Sequence, residues 1–150
     1  MKVYIGPHKD DDSTRKVEIS IHDYDTWNMD HTLALIALPM LKQLKETKHG
    51  VPYMDYKDMP EHLQYVRRAH DSRAIYDMID QSQQPEWDDL NEIEFQRQIK
   101  CWDWMLDEMI WAMEQVIDGD TVQQIEDIQY HDRLANGLKL FGKYYRSLWD

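Results

Sequence analysis

The sequence predicts a mainly helical α+β domain: a short N-terminal β-hairpin packed on a bundle of about four helices, in one unit spanning residues 1–150. Three observations carry that prediction. Near the start, Val3 and Ile5 alternate with Lys2 and Tyr4, and Val17, Ile19 and Ile21 alternate with Lys16, Glu18 and Ser20, the period of a strand. From Phe95 to Ile117 the apolar residues recur at helical spacing instead. Six Trp, nine Tyr and nine Met supply bulky packing material, and a chain of 150 residues buries roughly two thirds of its unfolded surface around one core.

Asp10-Asp11-Asp12-Ser13 reads as the exposed turn of the hairpin, which needs helices to pack on because a lone hairpin is marginal in water. Asn28 or Asp30 caps a first long helix running to about Lys48. Its Leu33–Leu41 section is apolar on nearly every side and is therefore expected to be central and surrounded. Pro39 kinks that helix or removes one backbone bond, and Gly50 and Pro52 end it. Pro60 suits the first turn of a second helix over about 60–80, and Gln81–Pro85 is a linker. A third helix covers about 91–118, with Phe95, Ile99, Trp102, Leu106, Met109, Ile110, Met113 and Ile117 inward and Gly119 as its stop. A fourth runs from about Val122 to Leu148, with Ile125, Ile128, Leu134, Leu138, Phe141, Tyr145 and Leu148 inward. Gly137 and Gly142 lie inside it at about 1 kcal/mol each against alanine, which points to close packing, a kink, or a break near Asn136-Gly137.

Several classes are excluded or disfavoured. The longest apolar run, Leu33–Leu41, is too short for a membrane span. No secretory leader is expected at Met1–Pro7. The lone Cys101 supplies neither an intrachain disulfide nor a thiolate zinc cluster, so a reducing cytoplasm is the expected compartment. The seven His show no two-ligand spacing such as His-Glu-x-x-His, and there is no glycine-rich phosphate loop or Gly-x-Ser-x-Gly elbow. Neither a cofactor nor a metal is expected.

Charge is strongly segregated. Residues 76–128 hold fifteen Asp and Glu against Arg97 and Lys100, a local balance of −13 in a chain whose total is −12. Two stretches are basic. Lys42, Lys45 and His49 emerge from the end of the first helix at i, i+3, i+7, and Lys139, Lys143 and Arg146 line one side of the fourth at i, i+4, i+7. If the stripes converge they form a pocket for a multiply charged anion, with the Arg able to grip phosphate bidentately. Left apart, they are solvated faces. So acidic a chain is not expected to bind nucleic acid.

Trp104 and Trp111 stand seven residues apart on the third helix, opposite its main apolar stripe, and must meet a neighbouring helix, a second subunit, or a ligand's flat ring. Asp103, Asp107 and Glu114 share a narrow stripe between those two faces. They either hold Mg²⁺ through one or two oxygens or pair with the bases of the fourth helix. The chain lacks the Glu-Glu-x-x-Glu block of all-helical nucleotide pyrophosphohydrolases.

Three segments, about a third of the chain, resemble an uncharacterised family of small proteins from tailed bacteriophages, T4-like and marine phages in particular. They are Tyr24-Asp-Thr-Trp-Asn-Met-Asp-His-Thr-Leu33 with Pro39-Met-Leu-Lys-Gln-Leu-Lys-Glu-Thr-Lys-His-Gly50, then Trp102-Asp-Trp-Met-Leu-Asp-Glu-Met-Ile-Trp111, and Asn136-Gly-Leu-Lys-Leu-Phe-Gly-Lys-Tyr-Tyr-Arg-Ser-Leu-Trp-Asp150. Members of that family are often longer near the start and before the third helix. The resemblance implies a phage source and action in the cytoplasm of an infected bacterium, and no established activity.

The leading functional expectation is a non-enzymatic protein that self-associates through aromatic surface on the third or fourth helix and sequesters a small anionic, nucleotide-like ligand such as a host immune signal. Lys42, Lys45, His49, Lys139, Lys143 and Arg146 would neutralise phosphates, while Trp104, Trp111 and Tyr144 would stack the base. The alternatives are an acidic protein-binding module that meets a host protein, and a metal-dependent nucleotide hydrolase built on Asp103, Asp107 and Glu108.

Overall fold

In the computed structural model the chain runs β1 (Lys2–Ile5), β2 (Val17–Ser20), α1 (Asp23–Trp27), α2 (Met29–Thr47), two 3-10 turns (Tyr56–Asp58 and Glu61–Leu63), α3 (Trp87–Asp118), α4 (Ile128–Lys143) and a closing 3-10 turn (Tyr145–Ser147). The structure describes residues 1–8, 13–64, 87–119, 121, 124 and 126–149, with backbone alone for 87–91, 93 and 94. The expected class is the observed one, mainly α with a two-stranded antiparallel hairpin at the start. The expected acidic hairpin turn, most of the expected 60–80 helix and the Gln81–Pro85 linker lie outside the described residues.

The two strands pair in the register Lys2↔Ser20, Val3↔Ile19, Tyr4↔Glu18, Ile5↔Val17. Because side chains alternate across a strand, Val3, Ile5, Val17 and Ile19 share one face and Lys2, Tyr4, Glu18 and Ser20 the other. Beyond the ladder, the Gly6 amide donates to the Lys16 carbonyl at 2.8 Å, and the Arg15 guanidinium donates to the Gly6 carbonyl at 2.7 Å. Two residues after β2 the chain enters α1, where the Asp25 carboxylate accepts the His22 N–H at 2.9 Å. The same carboxylate meets the Met1 ammonium at 2.9 Å, which ties the start of the hairpin to α1. That ammonium, with the His22 N–H, holds Asp25 below the usual carboxylate range.

Helix α2 continues through Pro39 and closes where the Lys48 N–H bonds the Leu44 carbonyl at 3.0 Å. The expectation that its apolar section is surrounded is corrected here. Ala34 and Leu41 are buried, and Ala37, Leu38 and Leu44 pack on the core, but Leu33, Leu35, Ile36 and Met40 are exposed, Met40 at 67%. Composition counted the apolar residues; it did not show that, among the described residues, the bundle covers only one side of the helix. Met40→Lys is therefore expected to change stability by no more than about 0.5 kcal/mol, the range for a surface substitution, as read by urea denaturation.

Helix α3 is the central element and packs against both α2 and α4. Cys101, Trp102, Met105, Leu106 and Met109 are all essentially inaccessible to solvent, with Leu140 of α4 closing the core. Most of the expected apolar stripe is inward, but Phe95, toward the start of the helix, is exposed. Gly119 ends α3 with φ +74, a left-handed conformation that favours glycine, and its N–H bonds the Gln115 carbonyl at 3.0 Å.

Helix α4 begins at Ile128, later than the periodicity suggests, because the Asp127 carboxylate caps it by accepting the Gln129 and Tyr130 N–H groups at 2.9 and 3.3 Å. It ends at Lys143, earlier than expected. Its inner face is corrected in part: Phe141 and Leu148 pack on the core as expected and Leu134 is half-buried, but Ile128, Leu138 and Tyr145 are exposed, Tyr130, Gly137, Leu140 and Tyr144 are buried instead, and Ile125 lies outside the described residues. The helix is unbroken at Asn136-Gly137, and close packing is the reason for Gly137. A Cβ there would stand 2.5 Å from the Glu108 carbonyl oxygen and 2.6 Å from the Ala112 Cβ. The stretch between α2 and its second 3-10 turn folds onto this bundle by burying Met54, Asp58, Met59 and Leu63.

Candidate functional site

The charges that the sequence segregates meet one another inside the fold. Helices α2 and α3 face each other across a ladder of three ion pairs: Lys42 with Glu114 at 2.7 Å, Lys45 with Asp107 at 2.6 Å, and Lys48 with Asp103 at 2.5 Å. Lysine numbers rise as carboxylate numbers fall, which is the register of two antiparallel helices. The first two pairs are well exposed and contribute little each. The Lys48 side chain is only 10% exposed, and its ammonium also donates to the Lys45 carbonyl at 2.9 Å. The acids expected to pair with α4 or to hold Mg²⁺ are thus engaged chiefly by α2. Glu108 alone turns to α4, where Arg133 grips it bidentately at 2.8 and 3.0 Å. Among the described residues no three His, Cys, Asp or Glu converge as a metal would require.

The second basic stripe has its own carboxylates. Asp58 is buried beneath the end of α4, where it accepts from the Lys143 ammonium, from the Tyr144 hydroxyl at 2.9 Å, and more distantly from Lys139 at 3.5 Å. Lys143 also reaches Asp55 at 3.3 Å, and the Asp55 N–H donates to the Tyr144 oxygen at 2.9 Å. Burial alone would raise the Asp58 pKa; the hydrogen bonds from Lys143 and Tyr144 outweigh it and hold the carboxyl below its ordinary 3.8. Burial pushes the Tyr144 phenol up to about 12, with the Asp58 acceptor adding to the shift. The hydrogen bond to Asp58 raises Lys143.

The structure thus brings Lys139, Lys143 and Tyr144 together around Asp58, and sets Lys42 and Lys45 against α3. Of the other expected site residues, His49 follows Lys48 in the chain just past α2. Arg146 lies exposed in the closing 3-10 turn and forms no ion pair among the described residues. Trp104 is half-buried and packs on the core. Trp111 meets the Tyr130 ring edge-on at 5.6 Å and carries the Arg133 guanidinium 4.0 Å above its own ring. Both Trp faces therefore serve packing. Arg133→Ala is expected to cost about 1–2 kcal/mol, because it removes a charge-assisted fork and a cation–π contact together. Lysine should not restore it, since an ammonium makes no bidentate fork; thermal unfolding of both variants checks this.

Among the described residues no element covers the apolar face of the hairpin. On the hairpin, Val3 is 39%, Ile5 51%, Val17 55% and Ile19 57% exposed, all on one face. Ile21 follows, and then Tyr24 and Trp27, whose rings meet edge-on at 6.0 Å while Trp27 is 85% exposed. The alternating sequence pattern marked the strands, but nothing local in it signalled that this face is exposed among the described residues. No described helix is long and apolar enough to cross a membrane. No protein-family model, curated protein or solved structure matches the chain.

Proposed function

We propose that this chain is a non-enzymatic protein-binding module whose working surface is the aliphatic face of the hairpin, continued by Ile21, Tyr24 and Trp27. The observation that carries this reading is that face itself: four aliphatic side chains in cross-strand register, without a covering element among the described residues. Apolar surface gathered on one element is a mark of interaction sites on otherwise polar proteins. Capture of a small anion is less well supported, because Lys42, Lys45, Lys139 and Lys143 would each have to leave a carboxylate. The acidic-mimic reading meets the same obstacle from the other side, since Asp103, Asp107, Glu108 and Glu114 already hold bases. The infected bacterium implied by the phage-like segments supplies a natural setting for a protein partner.

Immobilised protein tests this against bacterial lysate in three forms: unmodified, Val17→Lys/Ile19→Lys, and Lys139→Ala/Lys143→Ala. The expected result is a stoichiometric protein partner that resists elution by salt, is lost with the hairpin variant and is kept by the lysine variant. A partner that salt elutes, or that the hairpin variant still retains, would overturn the proposal.

A further inference from the structure

The stretch that carries Asp58 is joined to the bundle in a different way from the helices. We infer that residues 51–64 form a strap that lifts from the bundle as one unit while α2, α3 and α4 stay folded, with Asp58 as its latch and the Cys101 thiol beneath it. Among the described residues, the backbone-to-backbone hydrogen bonds of this stretch close within it. The Asp58 N–H bonds the Asp55 carbonyl at 3.0 Å, Met59 bonds Tyr56 at 3.3 Å, Leu63 bonds Pro60 at 2.9 Å and Gln64 bonds Glu61 at 3.2 Å. The Gln64 side chain also donates to the Met59 carbonyl at 2.9 Å, and the Asp55 carboxylate accepts the Lys57 N–H at 3.1 Å. A segment built on such local bonds keeps them as it moves, so lifting it breaks side-chain contacts and leaves the helical ladders intact.

Lifting gives up two things. The first is the burial of Met54, Met59 and Leu63, a small share of a core that α3 dominates. The second is the latch. Asp58 accepts from Lys143, from Tyr144 at 2.9 Å and from Lys139 at 3.5 Å. The Asp55 N–H donates to the same Tyr144 oxygen at 2.9 Å, and the Asp55 carboxylate meets Lys143 at 3.3 Å. These partners all stand at one end of α4, so a single movement releases them together. Tyr144 is fixed in turn, its ring edge-on to Trp102 at 5.9 Å. On the upstream side, Lys48 is held to Asp103 of α3, so α2 stays anchored and the movement begins after it. Cys101 lies under the far end of the strap. It is fully buried, and its Sγ donates to the Leu63 carbonyl at 3.4 Å. Burial pushes the thiol pKa up, so with the strap closed the group has neither access nor thiolate character. Opening at Leu63 restores both.

Labelling of Cys101, the one cysteine of the chain, by the aromatic disulfide 5,5′-dithiobis(2-nitrobenzoate) along a urea series reads this opening directly. Below the unfolding transition the rate is expected to change little with urea, because lifting a strap exposes little surface, and to take the slope of global unfolding only near the transition. Asp58→Asn should speed the shallow phase by about ten-fold or more. Tyr144→Phe removes the hydroxyl shared by Asp58 and Asp55 but keeps the ring beside Trp102; it should speed that phase by about three-fold or more and carries the test if Asp58→Asn does not fold. Gly137→Ala strains the α3–α4 crossing instead and should leave the shallow phase unchanged within about two-fold. Labelling that follows the global slope at every urea concentration would overturn the inference. So would folded latch variants that leave the shallow rate unchanged, or a Gly137→Ala protein that speeds it beyond that two-fold range.

Discussion

Gly137→Ala is expected to destabilise the protein by about 2–3 kcal/mol, although alanine is the better helix former by about 1 kcal/mol. The sign is set at the crossing of α3 and α4. The new methyl would stand 2.5 Å from a backbone oxygen of α3 and 2.6 Å from the Ala112 Cβ, and neither is the tip of a flexible side chain. The helices must separate, and overpacking a close-packed contact of this kind costs about 1–3 kcal/mol or more. Gly142 is the internal control. A Cβ there meets nothing within 4 Å, so Gly142→Ala should stabilise by about 0.5–1 kcal/mol. Urea denaturation of both variants checks the pair. Shifts of the same sign would show that the crossing is not as tight as described.

Asp58→Asn is expected to cost about 2–3 kcal/mol at neutral pH, since it leaves Lys143, Lys139 and the Tyr144 hydroxyl around a group that no longer carries charge. The effect should depend on pH with a definite sign. A carboxyl whose folded pKa lies below its unfolded value contributes stability that is complete above 3.8 and is lost as pH falls through the lower folded value. The gap between the two proteins should thus be constant from about pH 5 to 9 and close on acidification. Tyr144 works in the opposite direction. Its phenol titrates at about 12 in the fold against 10 when free. Its contribution is complete below pH 10 and is lost as pH climbs from 10 to 12. Tyr144→Phe should lack that alkaline limb and keep the acid one. A gap between wild type and Asp58→Asn that does not change with acidification would contradict the assignment.

Much of the fold was legible because period and composition are local signals. The Val3–Ile5 and Val17–Ile21 alternation gave both strands, and the Phe95–Ile117 spacing gave the long central helix. Gly119 stopped it where a positive φ is needed. The errors have a common cause. Periodicity says which residues are apolar, not how much of each side a neighbour covers. Leu33–Leu41 looked central because nearly every side was apolar, yet among the described residues the bundle covers only the Ala34 and Leu41 side. On α4 part of the expected inward face held, at Phe141 and Leu148, but Tyr130 and Tyr144, amphipathic residues, are buried while Ile128 and Leu138 are not. The site was less legible still. Charge segregation was plain, but whether separated charges face a ligand or each other is a question of tertiary contact. Asp55 and Asp58, in a stretch with no helical or strand period, gave no sign that they would lie beneath Lys139 and Lys143, more than eighty residues away.

The proposed function requires that Lys42, Lys45, Lys139 and Lys143 stay with their carboxylates, so that the apolar face and not a cationic pocket would do the binding. Isothermal titration with tripolyphosphate, a dense and flexible polyanion, tests this most directly. The expected result is no saturable heat up to millimolar ligand, with the unmodified protein and Lys139→Ala/Lys143→Ala indistinguishable. Saturable binding tighter than about 100 μM, some 5.5 kcal/mol of affinity, that disappears in the lysine variant would contradict the account and return the function to anion capture.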